Sequence, residues 1–133
     1  MWVCRCVCVD RDGWSRWKES GVFDSAGKPY QLGEDFLWVI DPGDDKWIKH
    51  FIQQLKMAHE FGFNAFHLDQ YGWPKIALKD DGTVVDLAKR FPKLLESITA
   101  ELSDCTHIFN NVNDFPTWST AHTHQDVIYI EVW

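Results

Sequence analysis

Phe63-Asn64-Ala65-Phe66-His67-Leu68-Asp69-Gln70-Tyr71-Gly72 reads as a buried strand that stops on a carboxylate and then turns at a glycine. In proteins built from alternating strands and helices, side chains at the carboxyl ends of the strands line the ligand site. Asp69 therefore stands where chemistry is done, although a strand-end aspartate is also a common N-cap for the next helix. A second strand-like run, Asp126-Val127-Ile128-Tyr129-Ile130-Glu131-Val132-Trp133, carries an acid in the corresponding place.

Working outward, the segment before Phe63 reads as a helix. From Asp44 to Glu60 the apolar residues Trp47, Ile48, Phe51, Ile52, Leu55 and Ala58 fall at helical spacing, with acids at the start and Gly62 past the end. Phe36-Leu37-Trp38-Val39-Ile40, which ends in Asp41-Pro42-Gly43, is a continuous apolar run that suits a strand buried on both faces. Strand, helix, strand in this order predicts parallel pairing through a crossover. Downstream, the spacing predicts a helical region over 84–102, with Val84, Leu87, Phe91, Leu94, Leu95, Ile98 and Leu102 as its buried stripe and Pro92 dividing it. Thr106 to Asn110 is a third strand, 118–122 a short turn or helix, and the run ending at Glu131 the fourth.

These repeats indicate a parallel α/β protein. Residues 1–32, with breakers at Asp12-Gly13, Ala26-Gly27 and Pro29, read as an irregular opening, and 33–133 as strand-helix repeats. Four strands do not close a barrel, so the expected architecture is a partial (β/α)8 TIM barrel, an internal piece of a single catalytic domain. Such a piece, taken alone, is expected to be inactive and prone to aggregation through uncovered strand edges. A small open doubly wound sheet is the alternative, but no Gly-x-Gly-x-x-Gly or phosphate-binding lysine loop supports a nucleotide role.

Composition narrows the partners. A formal net charge of −7 argues against nucleic acid, which calls for clustered Lys and Arg. No run approaches the roughly 18 apolar residues of a membrane span, and the start lacks the regions of a signal peptide. Eight tryptophans exceed what a small core readily absorbs, leaving sugar stacking and core packing as competing uses. Cys4, Cys6 and Cys8 would share one face of a strand, and with Cys105 could make a four-thiolate zinc site. The spacing lacks paired Cys-x-x-Cys knuckles, and His122 and His124 lack a third ligand. Neither group is assigned a metal, and no cofactor is expected.

Asp69 and Glu131 lie on strands separated by the one ending at Asn110. A strand spacing of about 4.8 Å puts their backbones about 10 Å apart. Inward-leaning side chains shorten that toward the ~5 Å carboxyl separation of retaining glycosidases; inverting ones need room for a water. His67 shares strand parity with Asp69 and faces the same interior, either to bind a hydroxyl, to orient Asp69, or as a satisfied core histidine. Tyr129 bears the same relation to Glu131. Asn110, Asn113, Gln70 and Asp41 are candidate partners for sugar hydroxyls or, equally, turn residues. Trp73 and Trp133, which follow the two acids, are candidates for the walls of a sugar cleft, with packing as the alternative.

Asp-Gln-x-Gly after a strand, the helix opened by Asp41-Pro42-Gly43-Asp44-Asp45-Lys46-Trp47, Asn110-Asn111-Val112-Asn113, and the terminal Tyr129-Ile130-Glu131-Val132-Trp133 together resemble glycoside hydrolase family 66. That family contains bacterial dextranases and cycloisomaltooligosaccharide glucanotransferases, and the resemblance runs from about Trp17 onward. It departs at Asp41, where asparagine is expected, at Tyr71, where an aliphatic residue is commoner, and in the Cys-rich opening. The resemblance implies a secreted parent protein acting on α-1,6-glucan. It further implies Asp69 as nucleophile, Glu131 as general acid/base, and Asn110 beside the substrate. Transglycosylation, a catalytically inactive carbohydrate-binding relative, or a barrel lyase dependent on metal or lysine are the competing classes.

Overall fold

The computed structural model describes residues 1–132. Its centre is a four-stranded parallel sheet in the order β1 (Trp2–Cys6), β5 (Ala65–Asp69), β8 (Thr106–Asn110) and β9 (Val127–Tyr129). Each strand lies beside the next in chain order, without the reversal that marks a doubly wound sheet. This is the arrangement of a partial (β/α)8 barrel.

The strands alternate between two environments. Phe66, Leu68 and Phe109 have no exposure, and His107 almost none. They share a layer with Phe51 and Leu55 of α2 (Asp45–Glu60) and Leu94, Leu95 and Ile98 of α3 (Phe91–Glu101). The Phe91 and Phe109 rings meet at 5.2 Å between centroids. His107 lies flat against Phe66 with its Nε2 buried and unbonded, and burial pushes its pKa down, so the ring is carried neutral. The opposite parity, His67, Asp69 and Ile108, stays half-exposed on the other face. Period-2 alternation thus assigns apolar bulk to the helices and polar groups to the barrel interior.

Both helices end as their sequences dictate. The Asp44 side chain accepts from Trp47 N–H and caps α2, while Pro92 in the first turn of α3 forfeits an N–H with no helical partner. Burial disfavours the Asp44 carboxylate. The Trp47 amide, the Ser20 hydroxyl and the Lys79 ammonium outweigh that and hold its pKa below the usual range.

Three expectations are corrected. The opening is not irregular: Trp2–Cys6 forms β1, and β2 (Cys8–Val9) and α1 (Arg11–Trp17) follow, with α1 capped by Asp10. The alternation of Val and Cys that puts three thiols on one face was itself the strand signal. The run at Phe36–Ile40 does form β4 (Leu37–Val39), but it pairs antiparallel with β2 and β3 (Gln31–Leu32) outside the parallel sheet. A short apolar run shows burial, not partner. Trp38 is buried, stacked 6.0 Å from Trp14 of the short helix α1. Finally, Val84–Asp86 is β7, paired with β6 (Ile76–Leu78) around the Asp80-Asp81-Gly82 turn, so helix α3 begins only at Phe91. Two adjacent β-branched valines after a turn favour a hairpin over a helix start.

Both small sheets interrupt strand-to-helix connections: β2 to β4 lie between β1 and α2, and β6 and β7 between β5 and α3. They therefore stand at the carboxyl ends of the parallel strands, where barrel loops build sites.

Candidate active site

Asp69 closes β5, and Asn110 closes β8 one register step beyond the Leu68–Phe109 pair. The side-chain amide of Asn110 is buried, and its Nδ2 donates to Asp69 Oδ1 at 3.0 Å and to Glu131 Oε2 at 2.8 Å. One amide thus touches both acids, and the two accepting oxygens lie within two hydrogen-bond lengths of each other. Asp69 Oδ1 also accepts the Gln70 N–H at 3.0 Å, whereas Oδ2 takes neither bond.

Glu131 lies two residues past β9, on backbone held by the segment after β8. Its N–H donates to Asn110 Oδ1 at 3.3 Å, and its carbonyl accepts Asn113 N–H at 2.8 Å. Asn111, fully buried, grips the same stretch. Its N–H and side-chain amide both donate to the Tyr129 carbonyl, and its Oδ1 accepts the Thr120 hydroxyl of α4 (Thr117–Thr120) at 2.7 Å. Asn111 and Thr120 are positioning residues that sequence reasoning passed over. The doubled asparagine at a strand end was the available signal.

Gln70 is buried and its polar atoms are engaged within the fold. Its amide donates to the carbonyls of Asn110 and Phe115, and its carbonyl accepts Gly72 N–H. It ties the top of β5 to that of β8. Gly72 has φ of 74°, and a Cβ there would meet the Val112 carbonyl oxygen at 3.0 Å and its Cγ1 at 3.1 Å. Glycine is what lets the two strand-end loops close together.

His67 faces the interior as its parity requires, with its ring edge-on to Tyr129 at 5.6 Å and Nδ1 3.4 Å from Cys4 Sγ. Cys6 pairs in register with Asp69. A hydrogen bond with Cys8 and burial push the Cys6 thiol pKa up, and burial together with these thiols raises Tyr71. Cys6 and Tyr71 are thus held neutral, whereas the hydrogen bond from Cys6, joined by one from Tyr71, outweighs burial and pushes the Cys8 thiol pKa down. Cys105, at the opposite end of β8, does not join them, so the four-thiolate grouping does not form. Trp73 is half-exposed, edge-on to Tyr30 at 5.8 Å and tilted toward Tyr71 at 6.2 Å, an aromatic rim on the loop after Asp69. Asn113, exposed, adopts φ of 52°. Trp133 lies outside the described residues.

Asp41 is engaged within the fold. It is 1% exposed, and its carboxylate accepts Gly43 N–H at 2.8 Å and faces Lys79 Nζ at 3.6 Å and Arg90 at 3.5 Å. The Lys79 ammonium is itself buried and faces Asp41 at 3.6 Å and Asp44 at 3.7 Å. Asp41→Ala is expected to destabilise the fold by about 3 kcal/mol, because it removes one of the two carboxylates that face the buried Lys79 ammonium and the acceptor of the Gly43 N–H. Denaturant unfolding checks this: an unchanged midpoint with weakened sugar binding would instead make Asp41 a substrate contact.

The family model of glycosyl hydrolase family 66 matches residues 12–133. No curated protein matches the chain. Among solved structures, the chain is similar to an α-galactosidase from Thermus thermophilus in complex with p-nitrophenyl α-D-galactopyranoside, with TM-score 0.60 and 15% identity over 81% of this chain and 22% of that one. A GH31 family sulfoquinovosidase from E. rectale, bound to the aza-sugar inhibitor IFGSQ, gives TM-score 0.59 and 16% identity over 81% and 19%. The glycoside hydrolase domain of PelA from Pseudomonas aeruginosa gives TM-score 0.53 and 14% identity over 82% and 42%. At such identities the likeness is one of fold. The chain spans about a fifth of the length of the first two proteins.

Proposed function

The chain belongs to glycoside hydrolase family 66, and from that premise we propose that it supplies half the catalytic barrel of a retaining enzyme that cleaves α-1,6-linked glucan. The observation that carries this reading is the Asn110 amide shared between Asp69 and Glu131. Two accepting oxygens within two hydrogen-bond lengths of each other favour the ~5–5.5 Å carboxyl separation of retaining glycosidases over the wider, water-holding gap of inverting ones.

In the proposed reaction, Asp69 attacks the anomeric carbon of a glucosyl unit through Oδ2, the oxygen that takes neither the Gln70 nor the Asn110 bond. The bond to the departing O6 breaks as Glu131 delivers its proton to that oxygen, leaving a glucosyl ester on Asp69. Glu131, now a carboxylate, takes a proton from water as the water attacks the same carbon, which restores both acids. Asn110 keeps the donor and the nucleophile in register through both steps, since its Nδ2 serves each carboxylate and its Oδ1 fixes the Glu131 backbone. His67, on the inner face before Asp69, and Trp73, on the rim above it, are the proposed sugar contacts, and Trp133 joins them by its place after Glu131. Gln70 and Asn113 act by holding the strand ends. The parent protein is proposed to be secreted, as its polymeric substrate requires.

Product analysis on dextran tests this with the complete barrel protein. Linear isomaltooligosaccharides released initially as the α-anomer are expected. Initial β-anomer would refute retention, absence of cleavage would refute the substrate, and cyclic products would move the reading to the glucanotransferases.

A further inference from the structure

At the end of the sheet opposite the acid pair, three residues of different chemistry meet. His59 lies in the last turn of α2, and Asp104 and Cys105 form the turn that leads from α3 into β8. Cys105 Sγ is 3.4 Å from His59 Nδ1 and 3.8 Å from Asp104 Oδ1, and His59 Nε2 is 3.5 Å from Asp104 Oδ2. One ligand atom from each lies within 4.8 Å of the other two. We propose that His59, Asp104 and Cys105 form a Zn2+-binding site that clasps α2 to the entry of β8.

The geometry fits the ion. Tetrahedral zinc, with bonds of about 2.0–2.3 Å, separates its ligand atoms by about 3.3–3.8 Å. Asp104, the most exposed member, is free to rotate, and Cys105 Sγ, which now approaches Nδ1, turns toward Nε2 as the metal enters. The histidine is oriented as zinc ligands are. The Phe63 carbonyl oxygen, 3.0 Å from Nδ1, can accept a ring N–H there and leave Nε2, on the Asp104 side, to bind the metal. A mixed set of thiolate, imidazole and carboxylate is borderline-soft and favours zinc over the hard cations. Three protein ligands on a partly exposed turn leave the fourth position to water.

Cys105 supplies the sulfur ligand and meets the metal as a thiol. When zinc enters, the S–H bond breaks, its proton leaves to solvent, and the sulfur lone pair binds the metal. An exposed His–Asp contact alone contributes little to stability and needs no thiol beside it. The site lies one five-residue strand, about 16 Å, from Asn110, so its metal takes no part in sugar chemistry.

Co2+ titration of the reduced full-length chain, followed by Zn2+ competition, tests the site. One equivalent is expected, with thiolate charge-transfer absorption and intense tetrahedral ligand-field bands. Cys105→Ala should abolish the charge-transfer band. Asp104→Asn, at a position too exposed to disturb folding, should weaken Zn2+ binding at least about tenfold. The combined Cys4→Ser, Cys6→Ser, Cys8→Ser variant should keep the band. A band that survives in Cys105→Ala, disappears in the triple variant, or comes with Zn2+ affinity unchanged by Asp104→Asn overturns the proposal.

Discussion

Asp69→Asn is expected to lower kcat on dextran by about 10^4-fold or more while leaving the thermal unfolding midpoint within a few degrees of the parent. The chemical loss is large because an amide oxygen does not form the glycosyl ester, and single nucleophile removals in covalent mechanisms cost on this order. The structural loss is small because the variant keeps an oxygen in the Oδ1 position. That oxygen still accepts from Gln70 N–H and Asn110 Nδ2. Asp69→Ala should lose as much turnover and also release these two donors, so the pair of variants separates chemistry from packing. Turnover retained within tenfold in Asp69→Asn would remove Asp69 from the nucleophile's role.

Glu131→Gln should show a loss that depends on the leaving group. Dextran, whose departing O6 needs a proton, is expected to lose about 10^2- to 10^4-fold in kcat. An aryl glucoside with an acidic phenol leaves unaided, so its first step should be nearly unchanged and deglycosylation should become limiting. Added azide, which attacks without base assistance, should then restore turnover and give glucosyl azide of retained configuration. Glutamine preserves the oxygen that accepts from Asn110, so the backbone anchoring at Asn110 and Asn113 persists. Equal losses on both substrates, with no azide effect, would assign Glu131 to structure.

How far the sequence disclosed this arrangement depends on what each residue's neighbours had to supply. The pairing of Asp69 with Glu131 across Asn110 was legible, because strand-end position and chain order suffice when parallel strands lie side by side in sequence. The parity of His67 was legible for the same reason. The partner of an apolar run was not: Leu37–Val39 is as buried as any barrel strand, but its hydrogen bonds go to two short antiparallel strands. The difference lies in long-range contacts that composition does not encode. Trp2–Cys6 was hidden because Arg5 and two cysteines interrupt the apolar run by which a buried strand is recognised. Asp41 and Gln70 illustrate another limit. Their residue types suit sugar hydroxyls, yet both are buried with their polar atoms committed to Lys79 and Arg90 in one case and to the Asn110 and Phe115 carbonyls in the other. Sequence reveals a hydrogen-bonding side chain, not whether the fold has already used it.

The central claim is that Asp69 and Glu131, joined by one asparagine, act on a single glycosidic bond through a covalent intermediate. Its most direct test is to incubate the complete barrel protein with an activated fluorosugar inhibitor, digest it, and map the adduct by mass spectrometry. A glucosyl-type mass on the peptide carrying Asp69, absent in Asp69→Asn, is the predicted result. The label on a different carboxylate, or inhibitor turnover with inverted configuration and no adduct, would contradict it.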